Sequence, residues 1–195
     1  WIYMTNGLSG GDVTRPGQDA PLVSLGRRDF RYHPRTLAFE SVSGQGQFGN
    51  TFDEWGNRFY CSNRNPTMYS LVTQEAAARN PFALGSGGAA DVYPLVEGKT
   101  TSRSHAGTHT AACGVHVYRG DLLGDDFAGN VFVCEPTGSL VTRSYLRPAG
   151  VSFQARRARP RVDFLASTDP WFRPVRLGAG PGGALSVGDV CREVI

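Results

Sequence analysis

The stretch ACGVHVYRGDLLGDDFAGNVFVCEP, residues 112–136, decides the fold. A short β-branched strand around Val115 and Val117 leads into a polar connection that closes on Gly129-Asn130. The apolar strand VFVCE at 131–135 follows. Strand, Gly-Asn turn, strand is the grammar of a β-hairpin.

The plan recurs on either side. QFGNTFDEWGNRFYCSN (47–63) places a Trp-Gly-Asn turn before a strand at Arg58–Cys61, and FRPVRLGAGPGGALSVGDV (172–190) places GPGG before ALSVGD. The second strands align at Tyr60, Val133 and Val187, and WIYMTNG reads as the tail of an earlier copy with Tyr3 at the same point. The intervals of 57, 73 and 54 residues are those of blade-sized repeats of ~40–50 residues carrying insertions. Two outer hairpins lie between the copies: RRDFRYHPRTLAFESVSG turns at Pro-Arg-Thr, and GSLVTRSYLRPAGVSFQARRA turns at Pro-Ala-Gly. One segment reads as helix, TQEAAARNPF, with Thr73 as cap and Asn-Pro as stop.

Antiparallel four-stranded units repeated in line predict an all-β fold, part of a β-propeller. Residues 1–195 supply about three blades of a ring that closes at 4–8. The alternative is a β-sandwich made from the same hairpins. The 25 glycines and 12 prolines, without a collagen-like period, agree with a turn-rich β chain. Because Trp1 stands inside a strand, the sequence reads as a single propeller fragment cut from a longer chain.

Charge excludes little but localises clearly. Twenty basic and seventeen acidic residues give +3, and the basic excess sits in RSYLRPAGVSFQARRARPRVDF, Arg143 to Phe164. That run lacks the interleaved aromatics of a base-stacking surface, which argues against nucleic acid and for a solvated hairpin with a basic edge. There is no run of about twenty apolar residues to span a membrane and nothing resembling a signal peptide. Cys61, Cys113, Cys134 and Cys191 include no C-x-x-C pair, which removes zinc ribbons and haem attachment within this chain. Disulfides stay open, with three pairings.

In a propeller the innermost strands line a channel, so the loops feeding them converge. Those loops are GQGQFG (44–49), SHAGTHTAACG (104–114) and STDPWFRPV (167–175). His105, His109, Cys113 and His116 have a metal-like look, but strand alternation sends Cys113 and His116 to opposite faces, so no metal site is expected. His105 and His109, in a loop of glycine and small hydroxyl residues, are the candidate catalytic bases; a histidine satisfied by backbone is the plain alternative. The candidates for holding a cofactor are Arg173, a planar partner for carboxylates, with Trp171 as a flat apolar surface and Asp169 beside them, together with Gln47 and Arg64. Asp169-Pro170 reads equally as the start of a turn, and Trp171 as a filler between blades. Glu135 and Thr137 in CEPTG, like the residues of CSNRNP, read first as turn chemistry. P-loop, dinucleotide and nucleophile-elbow motifs are absent.

The strings RRDFRYHPRTLAFESVSGQGQFGNTFDEWGNRFYCSNRNP, HAGTHTAACGVHVYRGDLLGDDFAGNVFVCEPTGSLV and FLASTDPWFRPVRLGAGPGGALSVGDVCREVI resemble the membrane-bound dehydrogenase domain of bacterial PVC-type haem-binding proteins. The resemblance implies a six-bladed propeller related to soluble quinoprotein glucose and sorbosone dehydrogenases, which oxidise sugars with pyrroloquinoline quinone and calcium. It further implies a sugar or alcohol substrate, a haem c domain in the full-length protein as electron acceptor, and a periplasmic or cell-envelope location. On that footing His105 or His109 would be the base and Arg173 or Arg64 a carboxylate clamp. The other function class to weigh is a non-catalytic propeller that binds glycan or a protein partner. Two departures stand out: the haem tether C-x-x-C-H is absent, and Ser186, Gly188, Val190 and Cys191 occupy a final strand that reads close to GALYVVDMYREVI in the family.

Overall fold

The computed structural model describes residues 1–72, 76, 79, 90–95 and 107–194. The expected helix at TQEAAARNPF lies almost wholly outside them, as does His105. Among the described residues fifteen strands follow one another: β1 (Ile2–Met4), β2 (Asp12–Thr14), β3 (Pro21–Ser24), β4 (Asp29–Tyr32), β5 (Phe39–Val42), β6 (Asn50–Phe52), β7 (Arg58–Tyr60), β8 (Met68–Tyr69), β9 (Cys113–Val117), β10 (Val131–Glu135), β11 (Leu140–Ala149), β12 (Ser152–Arg157), β13 (Leu165–Ala166), β14 (Pro174–Ala179) and β15 (Leu185–Asp189). All pairings are antiparallel.

The turns are where their chemistry puts them. In the β6–β7 hairpin the Asp53 carboxylate accepts the N–H groups of Trp55 and Asn57, and Gly56 takes φ +83°. That is an Asx turn closed by a residue free to adopt the left-handed region. Pro-Arg-Thr lies in the connection from β4 to β5, while Pro148 and Ala149 of the expected Pro-Ala-Gly turn are still paired in β11 and the chain turns at Gly150-Val151, with Gly150 at φ +64°.

The strands form five sheets: β1–β4–β5, β2–β3, β6–β7–β8, β12–β11–β10–β9 with β13 beside β11, and β14–β15. Only the fourth reaches four strands in line, and the described residues do not close a ring. Nor are there just two facing sheets, as a sandwich requires.

The sheets stack in chain order. Tyr3 meets Phe52 edge-on at 4.9 Å between ring centroids, joining the first sheet to β6. Strand β6 packs on β9, and β9 on β14. Two apolar layers hold these contacts. Phe59, Cys61, Ala112, Val115, Val117, Val131 and Val133 fill the gap between the β6–β8 sheet and the β9–β12 sheet. Cys113, Tyr118, Phe132, Cys134, Val141 and Leu177 fill the next gap, towards β14–β15. Each fully buried Val, Leu or Phe side chain contributes about 1.5–3 kcal/mol.

One expectation is overturned here. Strict alternation put Cys113 with Val115 and away from His116, but the register runs Val131 to Val117, Phe132 to His116, then Cys134 to Cys113. Strand β9 therefore carries one extra residue, a bulge that reverses its alternation and returns Cys113 to the Phe132 and Cys134 face. Gly114 makes it feasible, with φ +59°, and a Cβ there would lie 2.6 Å from the carbonyl oxygen of Val175. Even so, no group of three or more His, Cys, Asp or Glu side chains among the described residues is placed to hold a metal ion.

The cysteines are unpaired. Burial pushes the Cys61 thiol up to about 11 and that of Cys134 up to about 12, and raises Cys113 as well. Among the described residues no helix is long and apolar enough to cross a membrane.

Candidate functional site

His109 and Glu135 meet where two chain segments end. Glu135 closes the apolar strand β10, and His109 sits in the approach to β9, which pairs back on residues 90–92: His109 N–H donates to Ala90 O, Val92 N–H to Gly107 O, and Asp91 bridges Thr108. Both side chains are 1% exposed.

A carboxylate left bare at that depth would be costly, and the loop prevents it. Glu135 Oε2 accepts the backbone N–H of Thr110 and of Ala111, each at 3.1 Å, while Oε1 accepts the Thr110 hydroxyl at 3.1 Å. Against an oxygen already accepting two amides, His109 Nδ1, at 3.1 Å, stands as the donor. That fixes the tautomer and leaves Nε2 as the acceptor nitrogen of the ring.

His109 lines a cavity of about 590 Å³ between the β6–β8 sheet and the outer strands β11 and β12. One wall is aromatic: Phe59, Tyr69 and Phe153 contact one another with centroids 5.0–5.4 Å apart. Opposite them are hydroxyl and charged groups, Thr142, Ser144, Asp91 and Arg157.

Arg157 is anchored. Its Nη1 and Nη2 donate to Asp163 Oδ1 at 2.6 and 2.5 Å, Nη2 also reaches Asp91 O at 2.8 Å, and the guanidinium lies 4.6 Å over the Tyr93 ring. Burial raises the Asp163 carboxyl above its ordinary value, opposed by the Tyr93 N–H and by the charge of Arg157. The cavity's cation is thus already matched by a carboxylate.

The residues expected to hold a cofactor lie elsewhere. Arg173, 1% exposed, braces the chain: Nε donates to Arg192 O at 3.0 Å, Nη1 to Pro136 O at 2.8 Å, Thr137 O at 3.2 Å and Ser139 Oγ at 3.3 Å, and Nη2 to Glu193 O. Asp169 is exposed and accepts the N–H of Trp171, so it shapes its own turn, and Trp171 is 49% exposed. Gln47 accepts the N–H of Asn63 from the neighbouring loop. Arg64 is exposed. None of these five lines the cavity at His109. The loops at 44–49 and 104–114 do meet, through Gly114 N–H to Phe48 O at 2.9 Å.

Glu135, which the sequence reads first as turn chemistry, is instead the partner of His109. A lone acid ending the otherwise apolar run VFVC was the available signal. A second polar center, Asp29 with Arg58, ties the first sheet to β7 beside a cavity of about 390 Å³. Asp29 is fully buried, and its two oxygens accept the N–H groups of Asn6 and Gly46.

The model of one family, described as a Domain of unknown function (DUF7133), matches residues 1–195, the whole sequence. No curated protein and no solved structure matches it. The chain belongs to the DUF7133 family.

Proposed function

We propose that the cavity at His109 binds a neutral, hydroxyl-rich ligand of sugar or polyol type, and that His109, held by Glu135, accepts the proton of one of its hydroxyls. The buried His109–Glu135 pair on the wall of a ligand-sized cavity carries this reading. A volume of about 590 Å³ falls within the ~300–1,000 Å³ of small-molecule sites. Tyr69 and Phe153, half-buried and backed by the fully buried Phe59, offer the C–H face of a sugar ring a flat partner, and Ser144 offers it a hydrogen bond. With Arg157 matched by Asp163, the described residues of the site offer no unpaired cation of the kind an anionic ligand demands.

Accepting a hydroxyl proton is one half of alcohol oxidation; the other is loss of hydride to an acceptor. Pyrroloquinoline quinone, which the family resemblance implies together with calcium, supplies that acceptor when bound. Its carboxylates need free cations, and the described residues around the cavity do not assemble them: Arg157 is paired, Arg173 is enclosed by carbonyls, and Arg64, Gln47, Asp169 and Trp171 line other surfaces.

The stacking of β6 on β9 and of β9 on β14, first strand upon first strand in chain order, supports reading the sheets as consecutive propeller blades. In the same reading the electrons pass to a haem-bearing partner in the cell envelope.

Firm fixation of His109 equally suits a second reading, recognition of a glycan without chemistry. One assay separates the two. The protein, supplied with pyrroloquinoline quinone, calcium and a redox dye, is offered glucose, sorbose, xylose and sorbitol, and binding of each is followed by calorimetry. Binding of at least one is expected, and any dye reduction that accompanies it should be lost in His109→Gln while binding persists. Binding without reduction would leave the recognition reading standing, and no binding by any probe overturns both.

A further inference from the structure

Among the described residues strand β12 is the open edge of the largest sheet, paired on one side only, with β11. Among the described residues nothing donates to or accepts from its outer side. An open edge is a template for another strand unless something blocks it.

The charge here is concentrated. Residues 143–164 hold six arginines and one aspartate, +5 in a chain whose net charge is +3, so everything else sums to −2. Arg143 is buried and donates to Asn130 and to the Asp126 carbonyl, and Arg157 pairs with Asp163. Arg147, Arg156, Arg159 and Arg161 remain, all exposed and none in an ion pair. Register places Tyr145 opposite Arg156 and Arg147 opposite Gln154, so two of these guanidinium groups share the outer face of the hairpin, where Arg156 Nε donates to Gln154 Oε1 at 2.9 Å. The face turned the other way lines the His109 cavity through Phe153, Ala155 and Arg157.

We infer that β12 is a docking edge for an extended, acidic polypeptide segment of a partner protein, which adds a strand beside Ser152–Arg157 and sets alternate carboxylates against Arg147 and Arg156. Two features favour a polypeptide over a phosphate polymer. The edge offers backbone N–H and C=O groups, which only another backbone satisfies in ladder. The one aromatic on this face, Tyr145, is already flanked by Arg143 at 5.3 Å and Arg147 at 6.0 Å, so bases have nothing free to stack on. Guanidinium groups match carboxylates in a planar, two-point contact. Arginines that merely shield the edge from self-pairing would bind no such segment.

A synthetic ten-residue peptide alternating Thr and Glu is titrated into the full chain, beside the same peptide with Lys for Glu, a short DNA duplex and heparin. The Thr-Glu peptide is expected to bind, to weaken as salt rises, and to lose at least tenfold in affinity in Arg147→Glu/Arg156→Glu, checked for folding by circular dichroism. Hydrogen exchange on the unmodified chain is expected to show every second amide of 152–157 protected by the peptide. The inference is overturned if the peptide does not bind, if it binds without amide protection, or if DNA or heparin binds as well as the peptide.

Discussion

Asp29 and Glu135 are both buried carboxylates that gather amides from a neighbouring loop, yet they face different partners. Asp29 meets Arg58, whose other nitrogens donate to Ser43 O at 2.8 Å and Asn50 Oδ1 at 3.3 Å. Each nitrogen of that guanidinium donates to a protein acceptor, so, although Arg58 also lines the cavity of about 390 Å³, the pair works as a tie between the first sheet and the β6–β8 sheet. Glu135 meets an imidazole instead, and that imidazole lines a cavity. A guanidinium stays charged at any ordinary pH, whereas an imidazole can take up and release a proton. The same local device, a carboxylate fed by loop amides, serves cohesion in one place and, on the proposed function, chemistry in the other.

Removing the cation from the structural pair should have the largest effect. Arg58→Met leaves Asp29 buried without its charge partner, and breaking such a pair costs about 3–5 kcal/mol. Urea denaturation measures it, and a loss below about 1 kcal/mol would show that the pair is no tie.

Next comes the bulge that fits β9 between its neighbours. Gly114→Ala forces a Cβ onto Val175 O and Arg176 Cα at a positive φ, which should destabilise the chain by roughly 2–4 kcal/mol. An unchanged unfolding midpoint would mean that the β9–β14 contact opens freely.

Glu135→Gln keeps the shape of the site but gives His109 Nδ1 a weaker acceptor or none. About 1–3 kcal/mol of stability should go with it, along with turnover. Arg58→Met should leave the turnover of folded protein intact. If both variants lose turnover equally, the distinction between the two carboxylates fails.

The smallest effect belongs to His116, an ionisable group with neither kind of partner. Its Nε2 is buried without a hydrogen bond. Burial, then the charges of Arg119 and Arg176, lower its pKa below the ordinary 6.5. Below that value the unfolded chain binds a proton that the folded chain resists, so this contribution to stability is complete above about pH 6.5 and is lost as pH falls through the folded pKa. The unfolding temperature should therefore fall more steeply from pH 7 towards pH 5 in the unmodified protein than in His116→Phe. Parallel profiles would remove His116 from the account.

How much of this was legible in the sequence follows from distance along the chain. The hairpins were readable because their turns are local: Asp53, Gly56 and Asn57 close β6–β7 with no help from elsewhere. The bulge at Gly114 was not, since what demands a glycine there is the backbone of Val175, which arrives from β14. His109 was singled out by residue type and loop position, but its partner stands 26 positions away at the end of another strand. Arg173 shows the opposite failure. As a residue type it suggested a clamp for a ligand, and only the fold reveals the carbonyls of Pro136, Thr137, Arg192 and Glu193 around it.

The most direct test of the central claim is long-range ¹H–¹⁵N NMR of the His109 ring during titration with glucose, sorbose, xylose and sorbitol. The account predicts a proton held on Nδ1 throughout, and an Nε2 resonance that moves to saturation with at least one of these ligands. A ring protonated on Nε2 in the free protein, or an Nε2 signal that none of the four displaces, would contradict it.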